Sequence, residues 1–261
     1  MSDWLEYSQL GLMLITLGYA SYSDLKSREV SDYVWIVSAP TGLLMTSIRI
    51  YYSGQMIDIL FLLISLVFMT FISLLFYYFN FFGGADVKAN VTIALSIPTP
   101  PKFSPVLFGT LSPIFNFTVF SNTALLSASM TIFMLLYNII WKLKTGKPLF
   151  EGLQHEPLWK KMVAIATGFK IKPHRLTERF LHPLEEIIED NEGNMTRRLN
   201  VLVKAEDVGE IEADERLEGE IWVTPGLPLI VFMFVALIIS VLFGDILLWS
   251  FLSIFGLLWF L

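Results

Sequence analysis

Apolar residues fall along this chain in long runs separated by short polar breaks. Runs of roughly 17–25 residues, enough to cross a bilayer, lie at about 5–23, 33–50, 57–80, 119–141 and 226–243. Each predicts a membrane helix, because a backbone in hydrocarbon must satisfy its own hydrogen bonds. Two further runs are shorter. The run at about 87–97 includes Lys88, Asn90, Thr92 and Ser96 and suits lining water better than facing lipid, and the run at 246–261 ends the sequence. The pattern predicts an all-α polytopic bundle of six or seven transmembrane helices. Residues 1–141 form the membrane bundle in this reading, 142–222 a soluble insert and 223–261 the C-terminal membrane segment or segments.

The insert stands apart by composition and holds most of the charge. From Gly146-Lys147-Pro148 to Lys172-Pro173-His174, Pro, Gly and basic residues predict loops around a short helix near 156–168. Glu185 to Glu189, a turn at Asn191 to Asn194, and Arg198 to Lys204 predict a β-hairpin. Glu206 to Glu220 carries eight acids against one arginine and reads as a solvated charged face. A small α/β or mainly β domain is expected. There is no internal repeat and no low-complexity tract.

A mean hydropathy of +0.62, with 54% hydrophobic and 16% charged residues, agrees with a polytopic membrane protein and excludes an ordinary soluble domain. The lipid bilayer is one partner; none is expected among nucleic acids. The amino terminus has Asp3 and Glu6 but no early Lys or Arg, unlike a cleavable secretory signal, and reads as the start of a retained span. Lys26, Arg28, Lys88 and thirteen basic residues between Lys142 and Arg216 fall on one side of the resulting topology, leaving Arg49 and Lys102 opposite. The positive-inside rule makes the rich side cytoplasmic, with most weight on the short loops. Asp24 and Asp86 then both arrive at the cytoplasmic margin. With no cysteine, the chain has no disulfide, no thiol nucleophile and no Cys-ligated metal.

Those two aspartates are the candidate chemistry. An ionisable residue at the edge of hydrocarbon costs something like 2.5–3.5 kcal/mol on insertion scales and marks a functional position by default. Asp86 follows Phe82-Gly83-Gly84-Ala85 and reads as the N-cap or first residue of the next helix. The paired glycines permit close backbone approach. Asp24 stands i,i+4 from Arg28, the spacing of an ordinary helix-end ion pair. Read as plain structure, each acid caps or pairs; read together, they form an acid pair. Two carboxyls a few ångströms apart share a proton, so one acts as general base toward a water while the other polarises a scissile carbonyl. That chemistry needs neither cofactor nor metal. His155, His174 and His182 all lie in the insert without HExxH spacing and read as surface residues.

Asp24-x-x-x-Arg28 with Asp32 and Trp35, then Gly83-Gly84-Ala85-Asp86-x-Lys88, and late in the chain Trp222-Val223-Thr224-Pro225-Gly226-x-Pro228, together resemble the archaeal type IV prepilin and preflagellin (archaellin) peptidases, which are GxGD-type aspartic proteases of the membrane. The resemblance covers most of the chain in order and spacing. It implies that Asp24 and Asp86 are catalytic and that the substrates are pilin-like or archaellin precursors. Their short, basic class III leader would be cut on the cytoplasmic side, just before the precursor's hydrophobic helix. Gly83 and Gly84 would give the second aspartate its reach, and Arg28 and Lys88 would tune the pair. Ala85 replaces the second glycine of the GxGD frame, a small-for-small change. Bacterial members usually carry a tetracysteine region and also methylate the new amino terminus; methyltransferase activity is not expected here. The run from Ile246 extends past the six-span core that the resemblance implies.

Two other classes compete. A presenilin- or signal-peptide-peptidase-like protease usually has a late Pro-Ala-Leu motif, of which Gly226-Leu227-Pro228-Leu229 is a loose echo. A proton- or cation-coupled transporter usually has related halves and acids near the midplane; here no repeat is visible and both acids lie at one edge.

Overall fold

A computed structural model describes the chain apart from residues 1–2, 80, 109–110, 173–180, 190–194, 202–218, 227 and 256–261. It is mostly helical and has two compact units, one formed by residues 1–127 with 228–261 and the other by 128–227. The element order is α1 (Asp3–Ser27), α2 (Asp32–Ser53), α3 (Met56–Tyr78), α4 (Gly84–Ser96), α5 (Phe115–Thr145), α6 (Leu158–Thr167), β1 (Phe169–Ile171), β2 (Leu181–Pro183), β3 (Glu185–Glu189), β4 (Met195–Leu199), β5 (Ile221–Pro225), α7 (Leu229–Phe243) and α8 (Ile246–Ile254).

In the first unit α4 is the central element, packed against α1, α2, α3 and α7. At 13 residues it is about 20 Å long, short of the roughly 30 Å of a bilayer core. Enclosure by other helices explains how it tolerates Asn90, Thr92 and Ser96, all buried. Small residues bring α2 onto it: a Cβ on Gly42 would lie 1.9 Å from Ser96 Oγ, so this crossing requires glycine. Met13, Leu17, Trp35, Ile93, Phe115, Met233 and Leu237 belong to the surrounding core.

Among the described residues two helices, α3 and α5, are long and apolar enough to cross a membrane; α7 and α8, bent by 58° at a short break, make a third if they form one span. The break occurs at Gly244, in a positive-φ conformation, and at Asp245, whose carboxylate accepts from Leu248 N–H at 2.8 Å and from Ser121 Oγ at 2.9 Å. Asn122 donates to the Gly244 carbonyl at 2.9 Å and accepts from Ile246 N–H at 3.0 Å. Side chains of α5 thereby satisfy the backbone groups that the break releases.

The second unit is built around Trp222, fully buried, stacked on Phe150 and donating through Nε1 to the Leu149 carbonyl at 3.1 Å. β5 is the middle of an antiparallel three-stranded sheet in the order β1-β5-β2, and β3 and β4 form a separate antiparallel hairpin. The short helix forms as α6. The hairpin also forms, with Glu185 opposite Leu199 and Glu189 opposite Met195, so its second strand starts three residues earlier than the sequence pattern suggests. Arg197 explains the earlier start: in the strand it pairs with the buried Glu185 carboxylate, which also accepts from Trp222 N–H at 2.8 Å. His174, the hairpin turn at 191–194, most of the acidic run and the last six residues lie outside the described residues.

Candidate active site

Asp24 occupies the last turns of α1. The helix closes when Arg28 enters the left-handed region, with φ of 57°, and donates its N–H to the Asp24 carbonyl at 3.0 Å. Ser23 Oγ holds the exit by donating to the Glu29 carbonyl at 2.8 Å. The same turn brings the Arg28 guanidinium to 3.9 Å from the Asp24 carboxylate, the i,i+4 pair that the spacing predicts.

Asp86 is placed by the entry to α4. Phe81 and Phe82 donate their N–H groups to the Phe76 carbonyl at 2.8 and 3.3 Å, and the rings of Phe76, Phe82 and Phe120 pack with centroids 5.2–6.2 Å apart. This aromatic anchor fixes where the chain turns, and α4 starts at Gly84 with Gly83 as N-cap. Asp86 is therefore neither the N-cap nor the first helical residue; it stands at the third position. There its Oδ2 accepts from Gly83 N–H at 2.7 Å, the half of a capping box that an acid at this position can supply. Neither glycine needs its special backbone freedom, since Gly83 has φ −82° and ψ 166° and Gly84 is helical. What distinguishes them is space: nothing lies within 4 Å of a Cβ on Gly84, and a Cβ on Gly83 would touch only Asp86 Oδ2, at 3.4 Å.

The charge of Asp24 bears on the Asp86 carboxyl, so two acids separated by about sixty residues of chain share one electrostatic neighbourhood. Lys88 lies two positions past Asp86 but is engaged with Asp32 at the start of α2, Nζ to Oδ1 at 2.5 Å. Of the two cations singled out from sequence, Arg28 is thus the one seen on either acid, and that acid is Asp24. The arrangement offers two carboxyl groups on separate helices, one held by a backbone N–H and one by a guanidinium, with space open over Gly84, two residues before Asp86. Among the described residues no three His, Asp or Glu side chains converge in a way that would hold a metal ion. Sequence reasoning did not single out Phe76 and Phe120, nor Asn116, which donates to the Asn90 main-chain carbonyl at 2.8 Å; the Phe-rich approach to Gly83 was the available signal for Phe76.

Two family models match the chain: the type IV leader peptidase family over residues 11–122, and the archaeal peptidase A24 C-terminus, type II, over residues 160–246. The first stretch contains Asp24 and Asp86. Among curated proteins, the chain is 28% identical to a preflagellin peptidase of Methanocaldococcus jannaschii over 248 residues, 93% of this chain and 97% of that protein. It is 27% identical to a preflagellin peptidase of Methanococcus voltae, over 89% of this chain and 93% of that one. A third, from Methanococcus maripaludis, is 26% identical over 90% and 93%.

Proposed function

Because the chain belongs to the type IV leader peptidase family and is a protease, we propose that it is a membrane aspartic endopeptidase that removes class III, type IV pilin-like signal peptides from prepilin or preflagellin precursors at the cytoplasmic face. The reading is supported by Asp24, at the end of α1, lying close enough for its charge to act on Asp86, near the start of α4. Preflagellin as a substrate follows the names of the relatives.

In the proposed reaction the pair shares one proton. The ionised member takes a proton from a water between them, and that water attacks the scissile carbonyl. The protonated member hydrogen-bonds the carbonyl oxygen and later helps protonate the leaving amine. Gly83 N–H orients Asp86, Arg28 holds Asp24, and the space over Gly84 admits an extended precursor backbone. Lys88 acts through Asp32, tying the start of α2 to the first turn of α4. Six or seven membrane segments, with Lys26, Arg28 and Lys88 on the cytoplasmic side, bring the pair to the face where a short basic leader is presented.

The test is to incubate membranes containing the protein with a tagged prepilin or preflagellin and to sequence the amino terminus of the product. A single new terminus after the basic leader, next to the hydrophobic helix, is expected. Cleavage inside the hydrophobic helix would favour a presenilin-like enzyme, and an intact precursor would reject the reading.

A further inference from the structure

Asn90 follows Asp86 by one helical turn, on the same side of α4, and is 1% exposed. Asn116, in the first turn of α5 and fully buried, donates through Nδ2 to the main-chain carbonyl of Asn90. That bond uses neither the Asn90 amide nitrogen nor the Asn116 amide oxygen. Among the described residues Asn90 Nδ2 has no acceptor and Asn116 Oδ1 has no donor. A buried donor or acceptor without a partner bears its whole desolvation penalty. Here one of each is held on two residues already joined, the Asn116 side chain to the Asn90 main chain, inside a core where leucine would fill similar volume at no such penalty.

We propose that Asn90 and Asn116 together hold one water molecule a turn into the bundle from Asp86, and through it position the Asp86 carboxyl; this second role rests on the proteolytic reading above. Asn90 Nδ2 donates to the water oxygen, and one water O–H donates to Asn116 Oδ1. The second O–H is directed to Asp86. Side chains at i and i+4 have Cβ atoms about 5–6 Å apart, a span that one water bridges, and three partners are the usual number for a buried water. Gly83 N–H already holds Asp86 Oδ2, so the water takes the other oxygen and fixes the carboxyl from both sides. Asn90 and Asn116 are positioning residues in this account. They touch neither substrate nor the attacking water.

The test uses the full-length protein. Thermal unfolding is measured for Asn90→Leu, Asn116→Leu and the double variant. A shared water predicts that each single change lowers Tm, by stranding its partner, and that the double variant loses no more than the worse single one. Additive losses would overturn the shared site. In precursor cleavage, Asn90→Leu should lower kcat about tenfold, less than the hundredfold of a 1 Å misplacement, with KM unchanged. Asn90→Ser, whose hydroxyl donates and leaves room for water, should recover most of that loss. An unchanged kcat in Asn90→Leu, or a serine variant no better than leucine, would overturn the positioning role. If the wild-type protein cleaves no precursor, the proteolytic reading and with it the positioning role fall, while the unfolding cycle still decides the shared site.

Discussion

At one end of the first unit, where α1 begins and α2 and α4 finish, Glu6 is 4% exposed and faces Arg49 at 3.9 Å. At the other end, where α1 finishes and α4 begins, Asp24 faces Arg28 at the same 3.9 Å. The distance is equal and the surroundings are not. Glu6 also accepts from Lys102 N–H at 2.8 Å, Arg49 also donates to Thr99 Oγ1 at 2.9 Å, and both are buried. Asp24 shares its neighbourhood with a second acid, Asp86, which stands two residues after Gly84, where nothing lies within 4 Å of a Cβ. A buried carboxylate matched to a cation and held by a backbone N–H is committed to structure. Asp24, paired with a guanidinium but sharing its field with a second acid, is not so committed, and the difference separates a structural clasp from a candidate reaction centre.

The largest expected effect is at the reactive end. Asp24→Asn and Asp86→Asn should each abolish precursor cleavage while membrane insertion and Tm stay near wild type, and the double variant should be no worse, because residues that act as a unit are not additive. Substantial processing by either single variant would end the comparison. At the clasp, Arg49→Met leaves Glu6 buried without its cation and should destabilise by about 3–5 kcal/mol. Adding Glu6→Gln should restore much of the loss in a thermal unfolding cycle. An Arg49→Met protein as stable as wild type would show that the clasp holds nothing.

Much of this contrast is visible in the residues themselves. The apolar runs pointed to helices, the Gly83-Gly84-Ala85-Asp86 turn and Asp24-x-x-x-Arg28 to the acids, and two short segments around the Asn191 to Asn194 turn to the hairpin of β3 and β4. The clasp was not legible, since Glu6, Arg49 and Thr99 are far apart in sequence and only the packing of α1, α2 and α4 joins them. Asp245 looked like the edge of an apolar run until α5 supplied Ser121 and Asn122 to its helix break. The start of α4 was misplaced by two or three residues for a local reason: a glycine N-cap carries no side-chain signal, so Asp86 drew the boundary to itself.

Glycine substitutions sharpen the comparison with smaller effects. Gly42→Ala drives a methyl into Ser96, where Oγ, Cβ and Cα stand 1.9, 2.8 and 3.1 Å from the new atom. Overpacking of this kind typically destabilises by about 1–3 kcal/mol, and unfolding measurements should show it. Gly84→Ala meets no atom within 4 Å and should leave Tm unchanged. If the precursor backbone passes over Gly84, the added methyl raises KM for cleavage; unchanged kinetics would mean the substrate approaches elsewhere.

The smallest effect tests a saturated acid away from both ends. Glu156, 4% exposed on its side chain, accepts from Leu199 N–H at 2.9 Å and pairs with Lys160 at 3.2 Å. Burial pushes its carboxyl upward, but the Leu199 N–H and the Lys160 ammonium outweigh it and hold the group below its ordinary value of 4.5. A carboxyl whose folded value is depressed binds fewer protons folded than unfolded. Its stabilisation is complete above the unfolded value and is lost as pH falls through the folded one. Between neutral pH and about 5 the Leu199 amide should therefore keep constant protection from hydrogen exchange after correction for intrinsic rates, and below about 4.5 that protection should decline. Glu156→Gln should flatten the decline and leave precursor cleavage at neutral pH as it was, as expected of an acid whose capacity is fully used in holding β4. A decline that persists in the glutamine variant would assign it to other carboxyls of the second unit.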